Sequence, residues 1–257
     1  MKPSTPVWLV KEYGNRIRDR LVPLRKTELD GLIFYYMRSN PPHNPQAMGE
    51  HHEMHQMMSR LKGDTAIDVG ANIGSYTLRL ARRFHRVIAF EPNPFNLRIL
   101  KLNVSKNKLE NVEVERVALS DHAGHEPFFI QSRAGGTSTL DSSHYGLNYD
   151  RVSRARVMRL DDMKIEGVDL LKIDAEGSEL QILKGAESTI ERSNPALGVE
   201  VHCSSRLCGD LCECETCAYL RSLHYELKLL GEYAPTPTHW VWAIPSDPYS
   251  MSGSRVS

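Results

Sequence analysis

The chain has 257 residues, 40% of them hydrophobic and 25% charged, the mix of a globular protein and not of a disordered or fibrous one. Its 32 Lys and Arg balance 32 Asp and Glu, so there is no clustered excess of cations for coating nucleic acid, and nucleic acid is not an expected partner. No apolar run approaches the roughly 20 residues of a bilayer span, and the apolar stretch near Met1 is too short for a signal-peptide core, so a cytoplasmic protein is expected.

Residues 1–62 read as a helical N-terminal cap. Residues 16–24 mix charge with Ile17, Leu21, Val22 and Leu24, and 29–37 is apolar and aromatic. Pro41, Pro42 and Pro45 then break the chain. Met54, Met57, Met58 and Leu61 resume at helical spacing. His51 and His55 share a face of that helix without the HExxH order, and read as a solvated polar face.

The main domain is expected over 63–257. Strands are predicted at 65–69, 86–91, 112–117, 168–173 and 196–201, with helices at 75–84, 94–106 and 179–184 between them. Segments 128–130 and 156–158 read as a paired excursion, and 225–230 with 240–244 as a closing antiparallel pair. Continuous apolar strands alternating with helices imply an α/β fold, a parallel sheet covered on both faces.

The loop after the first of these strands runs Asp68-Val69-Gly70-Ala71-Asn72-Ile73-Gly74-Ser75. Such a strand-to-helix loop is where an open α/β sheet holds its ligand. The dinucleotide pattern GxGxxG fails here, because Asn72 and Ser75 replace its second and third glycines. Glu91 ends the next strand, where a carboxylate can accept both ribose hydroxyls. Loop and acid together point to an adenosine-type cofactor.

These segments resemble the FkbM family of S-adenosylmethionine-dependent methyltransferases. Asp68 to Gly74 is similar to its first motif, Phe90-Glu91-Pro92-Asn93-Pro94 to its second, and Val117-Ala118-Leu119-Ser120-Asp121 with Gly124 to its third. Leu171-Lys172-Ile173-Asp174-Ala175-Glu176-Gly177-Ser178-Glu179 resembles its most distinctive segment, and Gly198-Val199-Glu200-Val201-His202 the next. The resemblance implies a Rossmann-like class I fold with a mostly parallel seven-stranded sheet and an antiparallel last strand. It also implies methyl transfer to a hydroxyl on a sugar, glycan or natural product. Cofactor contacts are then expected from Asp68, Gly70, Ala71, Asn72, Gly74, Ser75, Glu91, Asn93, Ala118, Leu119 and Asp174. A nicotinamide-dependent oxidoreductase and a non-catalytic cofactor-binding module are the competing readings.

A hydroxyl needs a base or a metal to become a useful nucleophile. Asp174, Glu176 and Glu179 follow the fourth main strand, and Glu200 and His202 share one face of the fifth. These five are the candidate catalytic residues, acting as base or as holders of a divalent metal, with helix capping and dipole roles as the simpler alternatives.

All five cysteines lie between Cys203 and Cys217, in the order Cys203, Cys208, Cys212, Cys214, Cys217. Cys208, Cys212, Cys214 and Cys217 could ligate a structural zinc, although only Cys214 and Cys217 have regular CxxC spacing. Redox chemistry and inert thiols remain open, and the 203–217 loop is expected to form a lid on the substrate side.

Overall fold

A computed structural model describes residues 24–42, 50–131, 138–140, 151–202, 213–230 and 238–246. The described residues begin with β1 (Arg25–Leu29), β2 (Leu32–Tyr36) and α1 (Glu50–Ser59). It continues with β3 (Gly63–Val69), α2 (Thr77–Leu80), β4 (Phe84–Phe90), α3 (Pro94–Lys106) and β5 (Val112–Glu115). A smaller group follows, comprising β6 (Ala118–Leu119), β7 (Gly124–Ile130), β8 (Ser138–Thr139) and β9 (Arg151–Met158). The last elements are β10 (Val168–Ile173), α4 (Glu179–Lys184), α5 (Glu187–Ser193), β11 (Ala196–His202), α6 (Glu215–Ser222), β12 (Tyr225–Leu230) and β13 (Thr238–Pro245).

Seven strands form the main sheet in the order β12-β13-β11-β10-β3-β4-β5. Strands β11, β10, β3, β4 and β5 are parallel, and β13 runs antiparallel to both of its neighbours. This is the Rossmann-like architecture expected, with the last strand reversed. Strand order switches direction between β3 and β10, and a crevice opens there at the carboxyl ends of parallel strands.

Both faces of the sheet are covered, which is why its strands read as unbroken apolar runs. Ile67, Val69, Leu171, Ile173, Val199 and Val201 pack toward Ile182 of α4 and Ile190 of α5. The alternate residues Ala66, Leu170 and Ala196 face Met54 and Met58 of α1, with Trp240 and Trp242. No helix among the described residues is long and apolar enough to cross a membrane.

The N-terminal region departs from the helical expectation. Residues 16–23 lie outside the described residues, and 25–36 is a β-hairpin turned by Asp30 (φ 54°) and Gly31 (φ 67°). Both turn residues are left-handed, as a two-residue hairpin turn requires. The hairpin is part of the main fold: Leu32 and Phe34 join Ala71, Leu78, Ala89 and Leu100 in one core cluster. The outer edge of β2 is paired by side chains. Asn103 bonds the amide and carbonyl of Tyr35 at 2.7 and 3.0 Å, and Asn107 those of Ile33 at 2.8 and 2.7 Å.

Three other readings change. The helix expected over 75–84 is the single turn α2, because Phe84 is buried as the first residue of β4. His55 is buried and stacks on Tyr76 at 4.3 Å, so this side of α1 is not a solvated face. The paired excursion is a separate sheet in the order β6-β9-β7-β8, with Phe128 opposite Ser153 and not opposite 156–158.

Candidate active site

The ends of β3, β4, β10 and β11, together with β6, line a cleft of about 380 Å³. Gly70 has φ 71°, and a Cβ at this position would fall on the backbone carbonyl of Asp174. Only glycine lets the loop turn and also pass this close to the next strand end. Asn72 is left-handed as well (φ 52°), and its side-chain oxygen accepts from Asn40 Nδ2 at 2.6 Å. Of the residues expected to contact a cofactor, Gly70, Ala71, Asn72, Ser75, Glu91, Ala118, Leu119 and Asp174 line the cleft.

Three other predicted cofactor residues sit behind it. Asp68 is fully buried, paired to Lys172 at 3.0 Å and accepting from the Thr77 hydroxyl at 2.5 Å. Gly74 (φ 95°) leaves room for the Leu78 and Leu100 side chains, so it serves loop packing. Asn93 caps α3 by accepting from the Phe95 amide, and its Nδ2 donates to Ser138 at 3.1 Å.

Glu91 is 4% exposed. Its two carboxylate oxygens accept from the backbone amides of Asn72 and Asn93 at 2.7 and 2.8 Å. Burial pushes this carboxyl up to about 7, against the pull of those two amides and of Lys172. A carboxylate so placed is held rigidly, and each oxygen keeps a second lone pair for a ligand.

Lys172 is the residue the sequence reading missed. Its ammonium is buried, 3.0 Å from Asp68 Oδ1, 3.5 Å from Asp174 Oδ2 and 3.1 Å from the Gly70 carbonyl. Burial alone would lower its proton affinity, but Asp68 and Asp174 hold it above the usual lysine value. Tyr76 was missed too. Burial, then the charges of Asp174, Glu200 and Asp68, push its hydroxyl well above its ordinary range.

The five candidate catalytic residues divide into two groups. Asp174, Glu176 and Glu200 line the cleft, and Glu179 and His202 stand behind them. His202 Nδ1 is 2.9 Å from Glu179 Oε1, and Nε2 is 3.5 Å from Glu176 Oε2. Glu179 Oε1 also accepts from the Gly177 amide at 2.9 Å, which ties the β10–α4 loop to the pair. Burial would lower the imidazole, but the bond and charge of Glu179, then Glu176 and Asp174, raise it to about 9. At that value the imidazole carries its proton at neutral pH. Glu176 is left-handed (φ 52°), and burial followed by the charge of Asp174 pushes its carboxyl up to about 7. Asp174, Glu200 and His202 each offer an atom within 4.8 Å of the others, a spacing that could hold a divalent cation if binding displaces the imidazole proton.

The N-terminal segment also reaches the cleft, through Ser39, Asn40 and Pro41. No motif marked these positions; only the docking of the hairpin brings them there. Of the cysteines, Cys203, Cys208 and Cys212 lie outside the described residues. Cys214 and Cys217 are buried in the core cluster at α6, so these two are not part of a substrate-side lid.

Residues 68–226 match the family model described as the methyltransferase FkbM domain. Methyltransferase sdnD of Sordaria araneosa is 30% identical over 154 residues, covering 47% of this chain and 60% of that protein. The hexuronic acid methyltransferase AglP of Haloferax volcanii is 28% identical over 139 residues, covering 54% and 56%. The 31-O-demethyl-FK506 methyltransferase FkbM of Streptomyces tacrolimicus is 29% identical over 157 residues, covering 49% and 60%. The chain thus spans 56–60% of the length of these three relatives.

Proposed function

The chain belongs to the family of FkbM methyltransferase domains, and we propose that it transfers a methyl group from S-adenosylmethionine to a hydroxyl oxygen of a sugar, glycan or small natural product. The observation that carries this reading is the graded polarity of the cleft. Val117, Ala118 and Leu119 follow β5, Glu91 follows β4, and Asp174, Glu176 and Glu200 lie at the ends of β10 and β11. The strand order thus sets an apolar lining to one side of Glu91 and an acidic one to the other. An adenine, a ribose and a cationic amino-acid end match that order.

When bound, S-adenosylmethionine supplies a methyl group on a sulfonium, an electrophile open to in-line attack. Glu91 would accept from the ribose hydroxyls, held in place by the Asn72 and Asn93 amides. Ala118 and Leu119 would wall the adenine. Asp174 and Glu200 supply negative charge at the reacting end, where a carboxylate can orient the acceptor hydroxyl and take its proton. Lys172 offsets that charge from below, and the His202–Glu179 pair fixes Glu176 from behind.

The printed name of the Streptomyces relative specifies an oxygen and that of the Haloferax relative a hexuronic acid. Both favour an oxygen-rich acceptor. The test is incubation of the protein with methyl-labelled S-adenosylmethionine and extracts of glycans or small metabolites, read by mass spectrometry. Titration with S-adenosylhomocysteine and with a nicotinamide dinucleotide separates this reading from an oxidoreductase. Binding of the dinucleotide alone, with no label transferred, would overturn the proposal.

A further inference from the structure

Away from the cleft, three soft or borderline metal donors meet inside the core. Cys214, Cys217 and His239 each offer a ligand atom within 4.8 Å of the others, and all three residues are buried. They come from two elements separated by one strand, with Cys217 and His239 22 residues apart. Cys214 is the N-cap of α6, Cys217 lies in its first turn, and His239 is the second residue of β13.

The local geometry is that of a metal knuckle. The Cys217 amide donates to Cys214 Sγ at 3.5 Å, which turns the sulfur back over the start of the helix. His239 Nε2 faces Cys217 Sγ at 3.8 Å. Zinc bonds of about 2.3 Å to sulfur and 2.0–2.1 Å to nitrogen, set tetrahedrally, place those atoms about 3.6 Å apart. A helix N-terminus also favours the thiolate form that a metal requires. His239 is fully buried on a strand whose next residues are Trp240, Val241 and Trp242.

We propose that Cys214, Cys217 and His239 supply three of the four ligands of a structural zinc that clamps the start of α6 to β13. Binding displaces the two thiol protons and involves no change of oxidation state. The clamp has a direct connection to the cleft. His239 pairs in register with Val201 of β11, the residue between Glu200 and His202. Holding β13 here would fix the strand end that carries both of those side chains. The ligand set differs from the four-cysteine set expected from sequence, because the third donor comes from a different element.

The test is metal analysis of the full chain purified without chelator, followed by exchange with cobalt. One zinc per chain is expected, together with a cobalt form showing thiolate-to-metal charge transfer and tetrahedral d–d bands. Cys217→Ser and His239→Ala should each lose the metal at least about tenfold, whereas Thr216→Ala, beside the ligands, should retain it. If the ligand variants fail to fold, cobalt exchange in the wild-type protein still decides. Cobalt bands without thiolate character would place the ion elsewhere and overturn the site. A zinc-free chain would also overturn it, whether its cysteines are thiols or a Cys214–Cys217 disulfide.

Discussion

Lys172 Nζ lies 3.0 Å from Asp68 Oδ1, with both side chains at most 1% exposed. Parallel pairing of β10 with β3 sets the two residues side by side, one strand apart, under the glycine loop. The ammonium also reaches the Val69 and Gly70 carbonyls at 3.2 and 3.1 Å, so it holds the loop by its backbone. Lys172→Met would leave Asp68 buried without its countercharge, and should destabilise the fold by about 3–5 kcal/mol in urea unfolding. Adding Asp68→Asn should restore more than about 1 kcal/mol of that loss. Strict additivity of the two changes would show that the charges do not sense each other.

Glu91 is expected to control cofactor affinity. Glu91→Ala removes a carboxylate that two amides hold toward the cleft, and should weaken S-adenosylhomocysteine binding by about 1–3 kcal/mol in calorimetry. The carboxyl is pushed up to about 7 by burial, so it takes up a proton as pH falls through that value. A neutral carboxyl is a weaker acceptor, and affinity should decline below about pH 7 in the wild type but stay flat in the variant. Equal affinity in the two proteins would remove the ribose assignment.

What the sequence disclosed was what is local in it. A strand followed by Gly70 and a helix, or a strand ending in Glu91, occupies a dozen residues, and topology then carries those ends to one crevice. The Asp30-Gly31 turn was equally local, a two-residue hairpin signal that the helical reading of residues 1–62 passed over. Lys172 could not be assigned in this way, because a lysine in an apolar strand does not say which neighbour's acid it faces. That partner depends on the Lys172↔Asp68 register between strands more than a hundred residues apart. The same limit hid the pairing of His202 with Glu179, and that of His239 with the cysteines.

His202 is expected to contribute stability with a defined pH dependence. Its imidazole is raised to about 9 in the fold, despite burial, by Glu179, Glu176 and Asp174. Its contribution is therefore full below the unfolded value of about 6.5 and disappears as pH rises through about 9. The total is up to about 3 kcal/mol, spread over that window. His202→Gln should flatten the stability profile there, as read from thermal or urea unfolding at stepped pH. If the wild type gains stability between neutral pH and about 9 relative to the variant, the imidazolium assignment is wrong.

The last prediction concerns turnover. Asp174 and Glu200 line the acidic end of the cleft, whereas Glu91 holds its middle. A group that activates the acceptor acts mainly in the transition state, so its loss should lower kcat by more than it raises the cofactor's Kd. Asp174→Asn and Glu200→Gln should each reduce turnover by about 100-fold or more, the range expected for a lost general base. If a divalent cation held by Asp174, Glu200 and His202 does the activating, chelation should abolish turnover, and Asp174→Asn should resemble the chelated enzyme. If a carboxylate acts alone, chelator should have no effect on the rate. His202→Gln separates the positions further. Because His202 contacts Glu179 and Glu176 behind the cleft, its loss should alter the rate less than either carboxylate change if a carboxylate acts alone, and should raise the metal concentration needed if His202 is a ligand. Neutral substitutions at Asp174 and Glu200 that both leave kcat intact would move activation of the acceptor away from this end of the cleft, and methyl transfer would then depend on alignment alone.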